Sequence, residues 1–374
     1  MALRIAIIFE FPTLNGGERS MLSVIDQTDR SEFEFVAVAP VDGPLADALR
    51  ERQIPIEPLR IRDPTGHRLP VDEAVKSIVE AVDAVRPDLA HGNSLAIGRL
   101  LGPVKTLAGV CTVAHLRDIM KLSAKAVGDL NQNTRLLAVS EATRTFHIGQ
   151  GLSASRTIVV YNGVDGDQFR PRPKNVELRR QLSVSADAIM VLTVGQIGLR
   201  KGLDVLADAA VQIVADHHRM QFVVVGERNS SKAESIEFER QFVATFEAAG
   251  VRDHLHLTGY RHDVAQLMSE SDLLVHPARQ EPFGRVLLEA AATGLPIVAT
   301  AVGGTEEMLV DGENARFVVP DDPRALESAV VELILDVPLR HRLGAAARRH
   351  VRRCFSKSQA ASDLNRVWRD VIRG

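Results

Sequence analysis

Cysteine is nearly absent: Cys111 and Cys354 are the whole complement in 374 residues. Two thiols are too few for a disulfide framework or a thiolate zinc site, and they suit a reducing compartment. Long apolar runs are missing as well, since no segment approaches the roughly 20 residues a membrane-crossing helix needs. Residues 1–9 hold a short apolar run before Glu10, without a long h-region or a small-residue cleavage site. That stretch reads as a buried strand rather than a signal peptide, and the expected location is the cytoplasm. Charge of one sign is lacking too: the net charge of -3 argues against a nucleic-acid protein that must neutralise many phosphates. Internal repeats and low-complexity tracts are absent. No G-x-G-x-x-G turn opens either half, which argues against a nicotinamide dehydrogenase.

What is present suits a two-domain α/β protein. A hydrophobic share of 45% with 25% charged residues can bury a large core, and the length favours two domains over one. Short β-branched runs alternate with longer segments of helical period, the pattern of parallel sheets covered by helices. One series predicts strands near 4–9, 33–39, 88–91, 110–114, 136–139 and 158–160; a second predicts them near 190–194, 222–225, 255–257, 273–276 and 296–300. Each series makes one doubly wound domain, and the two would face each other across a cleft. Between them, residues 162–173 carry Gly163, Gly166, Pro171 and Pro173, a turn-rich connection that suits a linker. The expected division is 1–165, 166–352 and a C-terminal helix over 353–374 returning to the first domain. After Pro338 the chain is helical and basic, with Arg340, Arg342, Arg348, Arg349, Arg352, Arg353, Lys357, Arg366, Arg369 and Arg373. Such a run is ordinarily a solvated face; a docking surface for anionic membrane or for an acidic partner is the sharper alternative.

Open α/β sheets bind ligands beyond the carboxyl ends of their strands, so residues there are the first candidates. Gly16 and Gly17 follow the first strand and lead into a helix, where bare backbone N–H groups can approach an anion such as a diphosphate. In the second half, Gly195-Gln196-Ile197-Gly198-Leu199-Arg200-Lys201-Gly202 follows a strand, and Lys201 at the loop-helix junction can offer a point charge to a phosphate. A solvated lysine at a turn is the alternative. Glu281 and Glu289 lie eight positions apart around Pro282 and Gly284, which set a helix start. At a rise of about 1.5 Å per residue they span roughly 12 Å, so one carboxylate could hold sugar hydroxyls and the other ribose hydroxyls, with a diphosphate between. His115 is expected just past a strand ending at Ala114, with Arg117 and Asp118 close behind; from there it could bond a sugar hydroxyl or polarise a reacting centre. Asp165-Gly166-Asp167 has the spacing of a metal-binding carboxylate pair, but its place in a turn-rich linker explains it without a metal.

Together these residues resemble the retaining glycosyltransferase family 4, whose members have the two-domain GT-B fold. The family's E-x7-E element appears as Glu281 to Glu289, inside His276-Pro277 and Ala290-Ala291-Ala292-Thr293-Gly294-Leu295-Pro296, and is followed by Gly303-Gly304-Thr305-Glu306-Glu307. Val139-Ser140-Glu141 and Asn162-Gly163-Val164-Asp165 are also similar to family signatures. The resemblance implies transfer of a hexose or N-acetylhexosamine from a nucleotide-diphosphate sugar, UDP-linked rather than GDP-linked by preference, to a hydroxyl of a glycan, lipid-linked or small-molecule acceptor. It implies no cofactor and no metal. By the same resemblance Glu281 binds the transferred sugar, Phe283, Gly284, Arg285 and Val286 line the sugar and phosphate, and Glu289 holds ribose. Lys201, with Gln196 and Arg200 beside it, faces the leaving diphosphate; Gly16 and Gly17 line the opposite wall; His115 lies near the donor sugar; and Tyr260 to Val264 pack the base. One departure stands out: Gln196 occupies a position where many members carry arginine, so one cation of the usual pair is missing. Acceptor recognition would fall to residues 62–69 and 116–125. The competing readings are a nucleotide-sugar 2-epimerase-like enzyme and a low-activity protein of this fold acting as an assembly partner.

Overall fold

The computed structural model describes residues 2–63, 65–228 and 230–374. Pro64, within one of the expected acceptor loops, lies outside the described residues. The chain divides into two compact units, one of residues 1–163 with 357–374 and one of residues 164–356. The return to the first unit thus begins at Lys357 rather than at 353.

Unit 1 is built on a 7-stranded parallel sheet of order β3-β2-β1-β4-β5-β6-β7. Its strands are β1 (Leu3–Ile8), β2 (Phe33–Ala39), β3 (Ile56–Pro58), β4 (Leu89–Gly92), β5 (Cys111–Leu116), β6 (Arg135–Ala138) and β7 (Thr157–Val159). Unit 2 carries a 6-stranded parallel sheet of order β10-β9-β8-β11-β12-β13. These strands are β8 (Ile189–Val194), β9 (Met220–Val225), β10 (Leu255–Leu257), β11 (Leu273–His276), β12 (Ile297–Thr300) and β13 (Arg316–Val318). Central strands such as Leu3–Ile8 and Ile189–Val194 are apolar on both faces apart from Arg4 and Thr193, because helices cover both sides of a parallel sheet. Two short edge strands, β3 and β13, were not expected from the sequence. Each has three residues, and Pro58 or Arg316 breaks the apolar run that would mark a strand.

In both sheets the strand order reverses at one point, between β1 and β4 in unit 1 and between β8 and β11 in unit 2. In open parallel sheets ligands bind at the carboxyl ends of the strands beside such a reversal. The C-terminal helix Lys357–Arg373 completes unit 1: Ala360, Ala361, Leu364, Val367, Trp368 and Val371 recur at helical spacing and are buried. Trp368 meets Phe33 and Phe35 at ring separations of 5.7 and 5.5 Å. Thr28 Oγ1 donates to Asn365 Oδ1 at 3.0 Å, and Arg369 pairs with Glu32. The preceding helix, Val337–Cys354, buries Leu343, Gly344, Ala347 and Val351 and leaves Arg342, Arg349, Arg352 and Arg353 exposed. Among the described residues, no helix is long and apolar enough to cross a membrane.

The start of unit 2 is held by a buried charge cluster. Arg179 donates to the carbonyls of Ala188 at 2.9 Å and Glu270 at 2.9 Å and to Asp272 Oδ2 at 3.2 Å. Its Nε lies 3.5 Å from Glu270 Oε2, and Glu270 is only 1% exposed. Removing one partner of a buried ion pair strands the other charge in a poorly solvating interior. Arg179→Ala should therefore cost about 3–5 kcal/mol. Urea unfolding checks this, and an unchanged midpoint would show that the cluster contributes nothing.

Candidate active site

In unit 2, Lys201 follows β8 and Glu281 follows β11, the two strands flanking the reversal. Lys201 Nζ lies 2.6 Å from Glu281 Oε2, and His276 Nε2, at the end of β11, donates to the same oxygen at 2.9 Å. Burial alone would raise the Glu281 carboxyl. The Lys201 ammonium and the His276 hydrogen bond more than offset that and hold it well below the usual carboxylate range. Burial and the same ammonium lower His276, which is therefore neutral and a donor through Nε2.

The backbone is shaped for this meeting. A Cβ on Gly202 would stand 1.9 Å from the Pro277 carbonyl oxygen, so the Lys201 turn and the segment after β11 can touch only with glycine there. Gly303, at φ +57, closes on Glu281 from the other side: its Cβ would fall 2.0 Å from the Glu281 carbonyl oxygen, which accepts from Gly304 N at 3.0 Å. Arg279 braces the Lys201 turn. Its backbone N–H donates to the Arg200 carbonyl at 2.9 Å, and its guanidinium holds Asp204, Asp321 and the Leu199 carbonyl. His276 and the Gly303-Gly304 pair belong to the family pattern read in the sequence but carry no role there, and Arg279 is not marked at all, because an isolated His or Arg after a strand carries no spacing signal.

Gly284 is the N-cap of the helix Arg285–Thr293, and its carbonyl accepts from Leu287 N at 3.0 Å and Leu288 N at 3.1 Å. Glu289 is buried on that helix, and Arg285 Nε donates to its Oε1 at 2.8 Å; Val286 lies in the first turn. Phe283 is buried, its ring 5.6 Å from that of Phe355. Gln196 and Arg200 are exposed on the loop after β8. Tyr260 is 51% exposed, its N–H donates to Glu227 Oε1 at 3.0 Å, and Val264 opens the helix Val264–Glu270. The Tyr260 loop adjoins the Lys201 loop: Gly226 N donates to the Gly259 carbonyl at 2.9 Å, and a Cβ on Gly226 would lie 2.0 Å from the Gly195 carbonyl oxygen. Asp165 Oδ1 accepts from the backbone N–H groups of Asp167 and Gln168 at 2.9 and 3.0 Å, which is turn chemistry.

In unit 1, Gly16 and Gly17 open the helix Gly16–Gln27, with the Glu18 carboxylate accepting from Asn15 N at 3.1 Å. A Cβ on Gly17 would lie 3.1 Å from Arg117 Cδ and 3.7 Å from Asn93 Nδ2. The glycine thus leaves room beside Arg117 and Asn93, at the reversal between β1 and β4. Asn93 is buried, and its Nδ2 has no hydrogen-bond partner among the described residues. His115 corrects an expectation. It lies within β5, which runs to Leu116, rather than beyond a strand ending at Ala114, because the pairing with β6 continues through His115 and Leu116. It is buried, with Nδ1 2.9 Å from His91 Nε2 and 3.2 Å from an Arg117 nitrogen. Glu10, just after β1, is buried and pairs with Arg62 at 2.6 Å and with Arg68, tying down an expected acceptor loop.

The pairing of Glu281 has a pH signature. Its folded-state pKa lies below the ordinary glutamate value of 4.5, so its stabilisation is complete above that pH and is lost as the pH falls below it. Glu281→Gln leaves the Lys201 ammonium without its counter-charge and should cost about 3 kcal/mol at neutral pH. The stability gap between the two proteins should narrow in acid. A gap constant from pH 7 to pH 3, in unfolding curves of both proteins, contradicts the pairing.

Two family models match the chain. That of the group 1 glycosyl transferases matches residues 175–350, and that of Glycosyltransferase Family 4 matches residues 14–168. The D-inositol 3-phosphate glycosyltransferase of Geodermatophilus obscurus is 33% identical over 260 residues, covering 63% of this chain and 56% of that protein. The lipopolysaccharide core biosynthesis mannosyltransferase LpcC of Rhizobium leguminosarum bv. viciae is 30% identical over 214 residues, covering 57% of this chain and 60% of that one. The chain spans about half the length of the curated relatives it matches. Among solved structures, Anabaena Alr3699/HepE in complex with UDP-glucose aligns with a TM-score of 0.87 at 23% identity, covering 98% of this chain and 100% of that one, a likeness of fold. With both units matched in turn and two parallel Rossmann-like sheets of the GT-B kind, the chain belongs to the group 1 glycosyltransferases of glycosyltransferase family 4.

Proposed function

We propose that the chain transfers a hexose or N-acetylhexosamine from a nucleotide-diphosphate sugar to an acceptor hydroxyl, with retention of anomeric configuration and without a metal or other cofactor. The observation that carries this reading is the buried Lys201–Glu281 pair at the strand-order reversal of unit 2, beside the N-terminus of the helix Arg285–Thr293. Both Lys201 and His276 engage Oε2 of Glu281, so Oε1 is the oxygen available to a sugar hydroxyl. The ammonium and the positive end of the helix supply the charge that a diphosphate needs as it leaves. Glu289 would take the ribose hydroxyls, giving up part of its pairing with Arg285, and Tyr260 and Val264 would flank the base. The Anabaena relative of this fold has been solved with UDP-glucose, which favours UDP as the donor base.

In this reading the bond from the anomeric carbon to the diphosphate oxygen breaks while the acceptor oxygen bonds to that carbon on the same face. The departing diphosphate oxygen takes the acceptor's proton. The protein positions and stabilises charge, with Lys201 facing the departing group and no protein nucleophile. Unit 1 would bind the acceptor, a glycan or a lipid-linked hydroxyl compound. The exposed arginines of the helix Val337–Cys354 would suit the anionic inner membrane face where lipid-linked acceptors reside.

Lys201→Ala should lower kcat by at least about 100-fold, the scale of losing one preorganised charge at a developing anion. A donor-consumption assay, run after a thermal-shift panel of UDP, GDP, ADP and their sugars has identified the donor, reads this. Retained turnover removes Lys201 from the diphosphate, and a product of inverted configuration in proton NMR overturns the mechanism.

A further inference from the structure

The Glu281 cluster handles charge with a buried ion pair, whereas the polar core of unit 1 is a chain of neutral rings. His91 and His115 lie on neighbouring strands β4 and β5. His91 is opposite Val113 in the register, so His115, two residues on, shares its face. The rings are 5.0 Å apart. Behind His91 stands Trp368 from the C-terminal helix, its ring edge-on at 5.9 Å and its Nε1 donating to His91 Nδ1 at 2.9 Å.

The direction of every bond in this chain is forced. An indole N–H can only donate, so His91 Nδ1 accepts, and a neutral His91 carries its proton on Nε2. That N–H donates to His115 Nδ1 at 2.9 Å. From the other side the Arg117 guanidinium, which also can only donate, reaches the same Nδ1 at 3.2 Å. Arg117 is itself fixed by the Asn93 carbonyl and side chain, both at 2.9 Å, and by Asn162 Oδ1 at 3.0 Å. Two obligatory donors thus claim His115 Nδ1, one directly and one relayed.

We propose that His115 acts as a fixed neutral hydrogen-bond donor through Nε2–H, with Arg117, His91 and Trp368 as positioning residues that hold it in that tautomer. The identity of the ligand it meets rests on the proposed transfer reaction; the tautomer does not. His115 and Arg117 line a small cavity of unit 1 together with Asn162 and Leu364. Burial, then the Arg117 charge, then His91 lower the His115 pKa well below the ordinary value. Burial and Arg117 push His91 down to about 3. Such a ring cannot serve as a general base, so it can bond a substrate hydroxyl without competing for the acceptor's proton. The inference also gives the returning helix Lys357–Arg373 a part in the chemistry, because it delivers the indole that begins the relay.

Nitrogen-15 NMR of the full chain with labelled histidine tests the tautomer without needing activity. His115 should show a pyridine-type Nδ1 and a pyrrole-type Nε2, unchanged between about pH 5 and pH 8. An Nδ1–H form, or protonation in that window, overturns the proposal. Trp368→Phe keeps the packed ring and removes the donor, so His91 should gain an Nδ1–H population; a His91 that remains wholly Nε2–H overturns the part assigned to Trp368. His115→Gln retains an N–H donor but no basic nitrogen and should keep kcat within about tenfold, whereas His115→Ala should lose about 100-fold. Equal losses in the two variants contradict a donor role. Absence of transfer with every donor would instead count against the proposed reaction and leave the NMR result to decide the tautomer.

Discussion

A carboxylate with almost no access to water is stable only if something else solvates it, and the arrangement of unit 2 around its strand-order reversal follows from that constraint. Glu281 is solvated by Lys201 and His276, which come from the two strands flanking the reversal. Bringing them to one oxygen requires the Lys201 turn to press on the Pro277 carbonyl and the segment at Gly303 to press on Glu281 itself. At both contacts a Cβ would overlap backbone. The glycines, the Arg279 brace and the helix that opens at Gly284 all serve a geometry set by one buried charge pair. The same pair leaves a cation and a carboxylate side by side at the carboxyl ends of the central strands.

Unit 1 meets a similar problem differently. Its reversal is lined with His91, Asn93, His115 and Arg117, and the Arg117 guanidinium donates to amide and carbonyl oxygens and to a ring nitrogen. A fixed positive charge in a buried site lowers the basicity of each neighbouring imidazole, so the network remains neutral and directional. The carboxylate of unit 1 lies elsewhere, in Glu10, where it anchors the arginines of a surface loop.

Much of the fold was legible because parallel sheets covered on both faces need unbroken apolar strands, and the central strands of both units carry them. The short edges β3 and β13 escaped detection because edge pairing tolerates Pro58 and Arg316, which erase the apolar signature. Candidate residues were legible where spacing carries meaning. Glu281 and Glu289 around a helix start, Lys201 after a strand, and the Gly16-Gly17 turn could each be picked out. Arg279, Asn93 and the role of His276 could not, since single polar residues after strands are common and their roles arise only from what approaches them. His115 was singled out, but its environment was not. Two further residues would have had to be a strand for it to be recognised as an interior ring, and pairing with β6 supplies them.

The sequence by itself determined the class of architecture and the family, because periodicity and short motifs are local properties of a chain. Tertiary structure decided which residues meet and in what ionisation state. Lys201 and Glu281 are 80 positions apart, and Trp368 and His91 are 277 apart; no local pattern encodes such pairings. Burial and bond direction, which hold the Glu281 carboxyl below the usual carboxylate range and make His276 a donor, exist only once distant segments have closed on one another.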